Sequence, residues 1–314
     1  MIKDLLTMEG HVHDYFMVKS ATRAINNNGS PYLSLVLQDV SGTIDAKMWQ
    51  VTDDEVDLAS PGNIIEIEGS VLTFKGHPQI KITDILSVST GNIDKSKFVP
   101  NAPINFSLLE QELIKFINMI EDNELKNLVK TVIDERKECF LDYPAAVTVH
   151  HAYLHGLLFH SVTICKMALE VQKEYSFLQK DYLIAGALLH DIGKTVELQS
   201  DIAPGYTDEG NLLGHINIGC NIVSECGKKL HISNEKLNVI LHMILSHHGS
   251  PEFGSPKIPM IAEAYVLHCL DDLDAKMECL RTTLESTSEG AFTNNIVWLG
   301  NTKFFKPHKL DDNK

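Results

Sequence analysis

Three things are scarce in this sequence, and each scarcity closes off a class of protein. No two cysteines are spaced C-x-x-C: the six are scattered from Cys139 to Cys279, and the N-terminal third has none. Such usage supports neither a disulfide framework nor a structural zinc knuckle and fits a reducing compartment. No apolar run approaches the roughly 20 residues that a membrane-spanning helix needs. The opening MIKDLLTMEGHVHDYF carries acids and histidines where a secretion signal would carry a basic and then a long apolar stretch. A cytoplasmic protein without a membrane partner is expected. Positive charge is also short, with 27 basic against 42 acidic side chains and a net charge of −15 over 314 residues. That balance excludes a broadly cationic polyanion binder, so any nucleic-acid role must rest on local geometry or on metal ions.

What remains is an ordinary globular composition, 44% hydrophobic and 22% charged, long enough for two domains. From about residue 8 to residue 88 short alternating runs read as antiparallel strands: His11 to Ile25, Tyr32 to Asp39, Thr43 to Trp49, Ile64 to Thr73 and Gln79 to Val88. Turn signals separate them, among them Ser41-Gly42, Pro61-Gly62 and Gly76-His77-Pro78. Thr52 before an acidic stretch marks one short helix after the third strand. Five strands with a helix in that place are the order of a small OB-type barrel, with an SH3-like barrel as the competing reading. Residues 91–105 are polar, hold two prolines and read as a linker between a barrel at 1–90 and a second domain at 106–314.

From Phe106 onward the period is helical, with Ser107 and Glu110 as a capping-box signature and further helices near 124–139, 150–173, 180–190, 214–226, 233–246 and 258–285. No strand signal intervenes, so the fold class expected is an all-β barrel followed by an all-α domain. This second domain hoards imidazole: 11 of the 15 histidines lie between His150 and His268. Several fall in short signatures: His160 after an apolar run, His190-Asp191 followed by Ile192-Gly193-Lys194, Gly214-His215, His247-His248-Gly249, and Asp271-Asp272-Leu273-Asp274. An adjacent His-Asp pair at a frayed helix end can reach a common ion, and a buried unpaired carboxylate is costly without one. Imidazole mixed with carboxylate suits Mn²⁺, Fe²⁺, Co²⁺, Ni²⁺ or Zn²⁺ rather than Ca²⁺.

The order His160, His190-Asp191, Asp271 resembles the HD-domain metal-dependent phosphohydrolases, and the added His215 and His247 or His248 resembles the subset that holds two metals. With a barrel in front, the chain resembles the YhaM-type 3′-5′ exoribonucleases of Gram-positive bacteria along its length. The segments that carry the resemblance are LVLQDVSGTIDAKMW, HHAYLHGLLFH, LLHDIGK, GH, LSHHG and LDDLDAK. One departure is His155, where the pattern leads to a small residue. The resemblance implies that His160, His190, Asp191 and Asp271 hold one divalent ion, Mn²⁺ foremost with Co²⁺, Fe²⁺ or Zn²⁺ as alternatives. Asp191 would bridge to a second ion on His215 and His247 or His248. Two such ions activate a shared water for in-line phosphoryl displacement. Asp191 and Lys194 are thus the expected catalytic residues, Lys194 pairing with a phosphate oxygen or assisting the departing 3′-oxygen. Asp274, one turn from Asp271, is a supporting group or alternative ligand.

Substrate contacts are read more thinly. His150 and His151 open the expected helix carrying His160, where free N–H groups attract phosphate. In the barrel, Tyr32, Trp49 and Phe74 with Lys47 and Lys75 are the available stacking and basic set, although Trp49 and Phe74 read equally well as core. Residues 1–95 hold seven basic and thirteen acidic side chains, so no strong groove is expected. The expected partner is single-stranded RNA, with single-stranded DNA as a second substrate. A helical face at Leu125, Leu128, Val129 and Val132 packs either internally or against another copy in a homo-oligomer. Two other readings compete: a phosphohydrolase of a small cyclic or alarmone nucleotide, and a non-catalytic nucleic-acid-binding protein.

Overall fold

The computed structural model describes residues 1–26, 28–88, 94–147, 151–199 and 205–310. The chain divides into two compact units, one built mainly from Met1–Asn101 and the other from Ala102–Leu198 and the chain from Tyr206 onward.

In the first unit a short helix α1 (Ile2–Leu5) precedes β1 (Gly10–Ile25), β2 (Pro31–Asp39) and β3 (Gly42–Trp49); α2 (Asp53–Leu58) then leads to β4 (Ile64–Phe74) and β5 (His77–Val88). The long β1 pairs through Gly10–Met17 with β4 and through Met17–Ile25 with β2, with a register shift between Val18 and Ser20 that bends it from one neighbour to the other. Parallel pairing of β3 with β5 completes a closed barrel in the order β1-β2-β3-β5-β4. This is the OB-type order, which settles the choice against an SH3-like barrel. Alternation turns Leu33, Leu35, Leu37, Ile44, Ala46, Met48, Ile65, Ile67, Ile80 and Ile82 inward. Thr52 caps α2 in a capping box with Glu55, as its sequence predicts. Unforeseen was α1, which buries Ile2 and gives its backbone N–H to Asp39 Oδ2 at 2.7 Å. Past residue 93, where the segment read as a linker is described, Phe98 and Val99 are buried and the Val40 N–H donates to the Lys97 carbonyl.

The second unit comprises α3 (Phe106–Met119), α4 (Asn123–Glu135), α5 (Lys137–Asp142), α6 (Gly156–Glu174), α7 (Lys180–Leu189), α8 (Lys194–Glu197), α9 (Asp208–Lys229), α10 (Asn234–Ser246) and α11 (Ala262–Glu285). Its core is one continuous apolar cluster running from α3 to α11. Leu125, Leu128, Val129 and Val132 of α4 belong to that core, so this face is not available to another copy. The N-cap of α3 is Asn105 rather than Ser107, because the Asn105 side chain accepts the Ser107 N–H. The second unit is helical but not purely so: isolated bridges pair Leu198 with Tyr206, Phe292 with Phe305 and Ile296 with Thr302. Among the described residues no helix is long and apolar enough to cross a membrane.

Candidate metal centre

Five helices deliver the site, and in three of them an end or a bend explains the aim. A helix leaves its last carbonyls without backbone partners. His190, the C-cap of α7, turns its ring back so that Nδ1–H donates to the Ala187 carbonyl at 3.0 Å. His247 does the same at the end of α10, donating to the Ile244 carbonyl at 2.7 Å. In both cases the remaining nitrogen, Nε2, is pushed away from the helix into the centre. His248 uses Nδ1 on the Phe253 carbonyl at 2.9 Å, and His160 in α6 uses Nδ1 on Asp274 Oδ2 at 2.7 Å.

His215 needs a break in α9. Gly214 takes φ 70° and ψ 153°, a left-handed value suited to glycine, so His215 starts a new helical segment with a free backbone N–H. The buried Glu197 carboxylate takes that N–H at 2.9 Å and lies 3.3 Å from His215 Nδ1. The break sits against Gly193, where a Cβ would stand 1.9 Å from the His215 carbonyl oxygen; glycine allows α9 to come this close.

The result is two adjoining groups of donors that share Asp191. In the first, His160 Nε2 lies 3.1 Å from His190 Nε2, 3.2 Å from Asp271 Oδ1 and 3.6 Å from Asp191 Oδ2. In the second, Asp191 Oδ1 lies 3.5 Å from His215 Nε2 and 3.7 Å from His247 Nε2. Ligand atoms of His215, His247 and His248 fall within 4.8 Å of one another, so both members of the His247-His248 pair face this group. Asp191 Oδ1, His215 Nε2 and His247 Nε2 are buried with no hydrogen-bond partner. Three orphaned polar atoms around one point fit a divalent cation, which would satisfy them all.

The electrostatics agree. Burial works against charge on Asp191, yet Lys194 and His190 hold its carboxyl well below the usual range. Asp271 is likewise held low against burial, chiefly by its bond to His160. Burial also opposes charge on His160, but the Asp271 and Asp274 carboxylates raise it to about 10; positive charge is favoured at that point. Burial pushes His247 and His248 down, toward the neutral imidazole that ligates metal.

Other expected contacts fare differently. Lys194 Nζ stands 2.7 Å from Asp191 Oδ2, and that carboxylate holds the ammonium above its ordinary range in spite of burial. His151 corrects its expectation: α6 begins at Gly156, not at 150, and His151 is 1% exposed with both ring nitrogens on Tyr153 Oη and Asp274. A ring so enclosed does not meet a phosphate. His150 lies outside the described residues. His155 holds φ 64° at the start of α6, which explains why a small residue would suit that position. Tyr32 stacks on Trp49 with ring centroids 4.8 Å apart and Lys47 Nζ 4.7 Å from the Tyr32 centroid. Lys75 is exposed beside Phe74 at the β4–β5 turn. Trp49 and Phe74 are 44% and 55% exposed, so neither is core. Sequence reasoning missed Glu197, which lies in no motif, and Tyr153, which sits inside the HHAYLHGLLFH segment without being singled out; their roles arise from contacts made only in the folded chain.

This fold and this donor set define a two-part chain, a nucleic-acid-binding type of barrel followed by a helical metal-site domain. Residues 7–88 match the OB-fold nucleic acid binding domain family and residues 157–276 the HD domain family. The 3′-5′ exoribonuclease YhaM of Bacillus subtilis (strain 168) is 37% identical over 297 residues, covering 94% of this chain and 95% of that protein. The 3′-5′ exoribonuclease YhaM of Geobacillus sp. (strain WCH70) is 37% identical over 294 residues, 93% of this chain and 91% of that protein. The chain belongs to the YhaM family of 3′-5′ exoribonucleases.

Proposed function

We propose that this chain is a metal-dependent 3′-5′ exoribonuclease that shortens single-stranded RNA, and single-stranded DNA as a second substrate, releasing nucleoside 5′-monophosphates in the cytoplasm. The observation that carries the reading is the convergence of the Nε2 atoms of His160, His190, His215 and His247 on Asp191 and Asp271, with His248 beside His215 and His247 and three of the inner atoms left without hydrogen-bond partners. His160, His190, Asp191 and Asp271 would hold one ion; Asp191 with His215, His247 and His248 would hold a second. Mn²⁺ suits this nitrogen and oxygen set, as do Co²⁺, Fe²⁺ and Zn²⁺. When bound, such ions supply a water of lowered pKa and neutralise charge on the attacking and leaving oxygens.

The chain's own residues do the rest. Asp191 presents one oxygen to each group, so it fixes the spacing between them. Lys194 balances the Asp191 charge and keeps the carboxylate ionised; its ammonium is also the group we assign to pair with a non-bridging phosphate oxygen. In the barrel, Tyr32 and Trp49 offer a stacking platform with Lys47 beside it; Lys75 stands on the β4–β5 turn, toward the other end of the strands. Stacking tolerates any base, as a processing exonuclease requires. Incubating a 5′-labelled RNA oligomer with the purified protein and Mn²⁺ tests the reading. The expected product is a ladder shortened from the 3′ end; turnover of small nucleotides with intact RNA, or a mobility shift alone, would point to the competing functions.

A further inference from the structure

Behind His160, on the side away from the ligand cluster, runs a buried hydrogen-bonded chain that the proposed chemistry does not use. Helix α11 sets Asp271, Asp274 and Glu278 on one face by their spacing of three and four residues. Asp271 faces the cluster. Asp274 Oδ2 instead accepts from His160 Nδ1 at 2.7 Å and from His151 Nε2 at 2.6 Å. His151 Nδ1 in turn lies 2.6 Å from Tyr153 Oη. Beyond them the buried Glu278 accepts both Nε and a terminal N–H of Arg281, at 2.8 and 2.6 Å, which anchors that end of the face.

A carboxylate only accepts, so each imidazole must carry a proton on the nitrogen that faces Asp274. For His160 this reserves Nε2 for the cluster. For a neutral His151 it leaves Nδ1 as an acceptor, and the Tyr153 hydroxyl is the donor that fills it. His151 sits at φ 51°, a left-handed conformation that residues other than glycine seldom adopt, and it is buried there. A strained backbone that places a doubly bonded ring against a ligand's support indicates a selected geometry rather than filler packing.

We propose that Asp274, His151 and Tyr153 are positioning residues that lock His160 into the tautomer and orientation that present Nε2 to a metal ion and strengthen it as a donor. The inference rests on the reading of His160 as a ligand. Its test is Mn²⁺ and Co²⁺ titration of the full chain, with the absorption spectrum of the Co²⁺ form, for Asp274→Asn, Tyr153→Phe and His160→Ala. Asp274→Asn is expected to weaken metal binding about 10–100-fold, the usual cost of losing an outer-shell partner. Tyr153→Phe, which touches no ligand, is expected to weaken it by a smaller but measurable factor. Both should alter the Co²⁺ spectrum while the ion-free proteins keep a native far-UV circular dichroism. Should Asp274→Asn fail to fold, Tyr153→Phe and His151→Gln carry the same measurement. Wild-type affinity and spectrum in the positioning variants would overturn the proposal if His160→Ala loses metal. Wild-type binding in His160→Ala would overturn the ligand reading itself.

Discussion

The two units of this chain treat their candidate functional side chains in opposite ways. In the barrel, Trp49 and Phe74 stand about half exposed, and Tyr32 is held by a ring contact and a nearby lysine. In the helical unit His160, His190 and His247 are almost fully buried, and each has its second ring nitrogen tied to a carbonyl or a carboxylate. The difference follows from what each task tolerates. Contacts to bases of any identity need a π-face and some freedom, whereas a metal centre needs charged atoms fixed to within about 0.5 Å. Burying that much polarity is costly unless each atom is bonded, so the helical unit spends helix ends, a kink and an acidic face on satisfying it.

The sharpest way to break this contrast is at its most constrained atom pair. Asp191→Asn is expected to cut RNA hydrolysis at least about 10³-fold, beyond the loss of a single electrostatic contact. Bound metal should fall with it while far-UV circular dichroism stays native. Normal turnover with normal metal content would remove Asp191 from the mechanism. Next in size are His215→Ala, His247→Ala and His248→Ala. Each should lower metal stoichiometry toward one per chain and the rate by about 10–100-fold, leaving the His160 group occupied. Unchanged stoichiometry in all three would mean a one-metal enzyme.

Legibility in the sequence follows the same divide. The barrel strands are readable because one face is buried and the period of two shows it; each expected strand falls within two residues of its observed ends. The candidate ligands are readable because His190-Asp191 and His247-His248 sit where apolar helices stop. What surrounds them is not. Glu197 acts on His215 from 18 residues away, and Asp274 reaches His151 across 123, distances at which no local pattern operates. The start of α6 was misplaced because His150 and His151 resemble a helix opening, while the observed chain enters the helix through a left-handed His155. Exposure of Trp49, by contrast, is legible in the alternation: it is in phase with Thr43, Asp45 and Lys47 and opposite to the inward Ile44, Ala46 and Met48, a signal that the general need of a small barrel for large inward residues obscures.

A third test sets glycines of the two units against each other. Gly193→Ala forces a Cβ to within 1.9 Å of the His215 carbonyl and 2.7 Å of the Gly219 nitrogen, both backbone atoms that cannot swing aside. A loss of about 1–3 kcal/mol is expected from such overpacking, with weaker metal binding as His215 moves. Gly29→Ala in the barrel meets nothing within 4 Å and is strained only by its φ of +80°. Its cost should be about 1–2 kcal/mol with metal binding untouched. Thermal melts and metal titrations of the two variants separate strain alone from strain coupled to the site.

The smallest effects are expected in the barrel, the proposed holder of the strand. Trp49→Ala removes one ring of the Tyr32–Trp49 stack, and base stacking on an aromatic contributes about 1–3 kcal/mol at most. Because those contacts lie on nucleotides that do not react, the loss should appear as a raised KM on long RNA with kcat nearly unchanged, and hydrolysis of a dinucleotide should not change. Lys75→Ala should shift KM less still, by under about threefold, since one exposed lysine on a barrel of negative net charge contributes a single weak phosphate contact. For the same reason the salt dependence of KM should be shallow, with a slope corresponding to about one or two phosphate contacts rather than a cationic groove. A steep salt slope, or a kcat loss in Trp49→Ala equal to its loss in kcat/KM, would show that the barrel takes part in the chemical step and is not merely a holder of the strand.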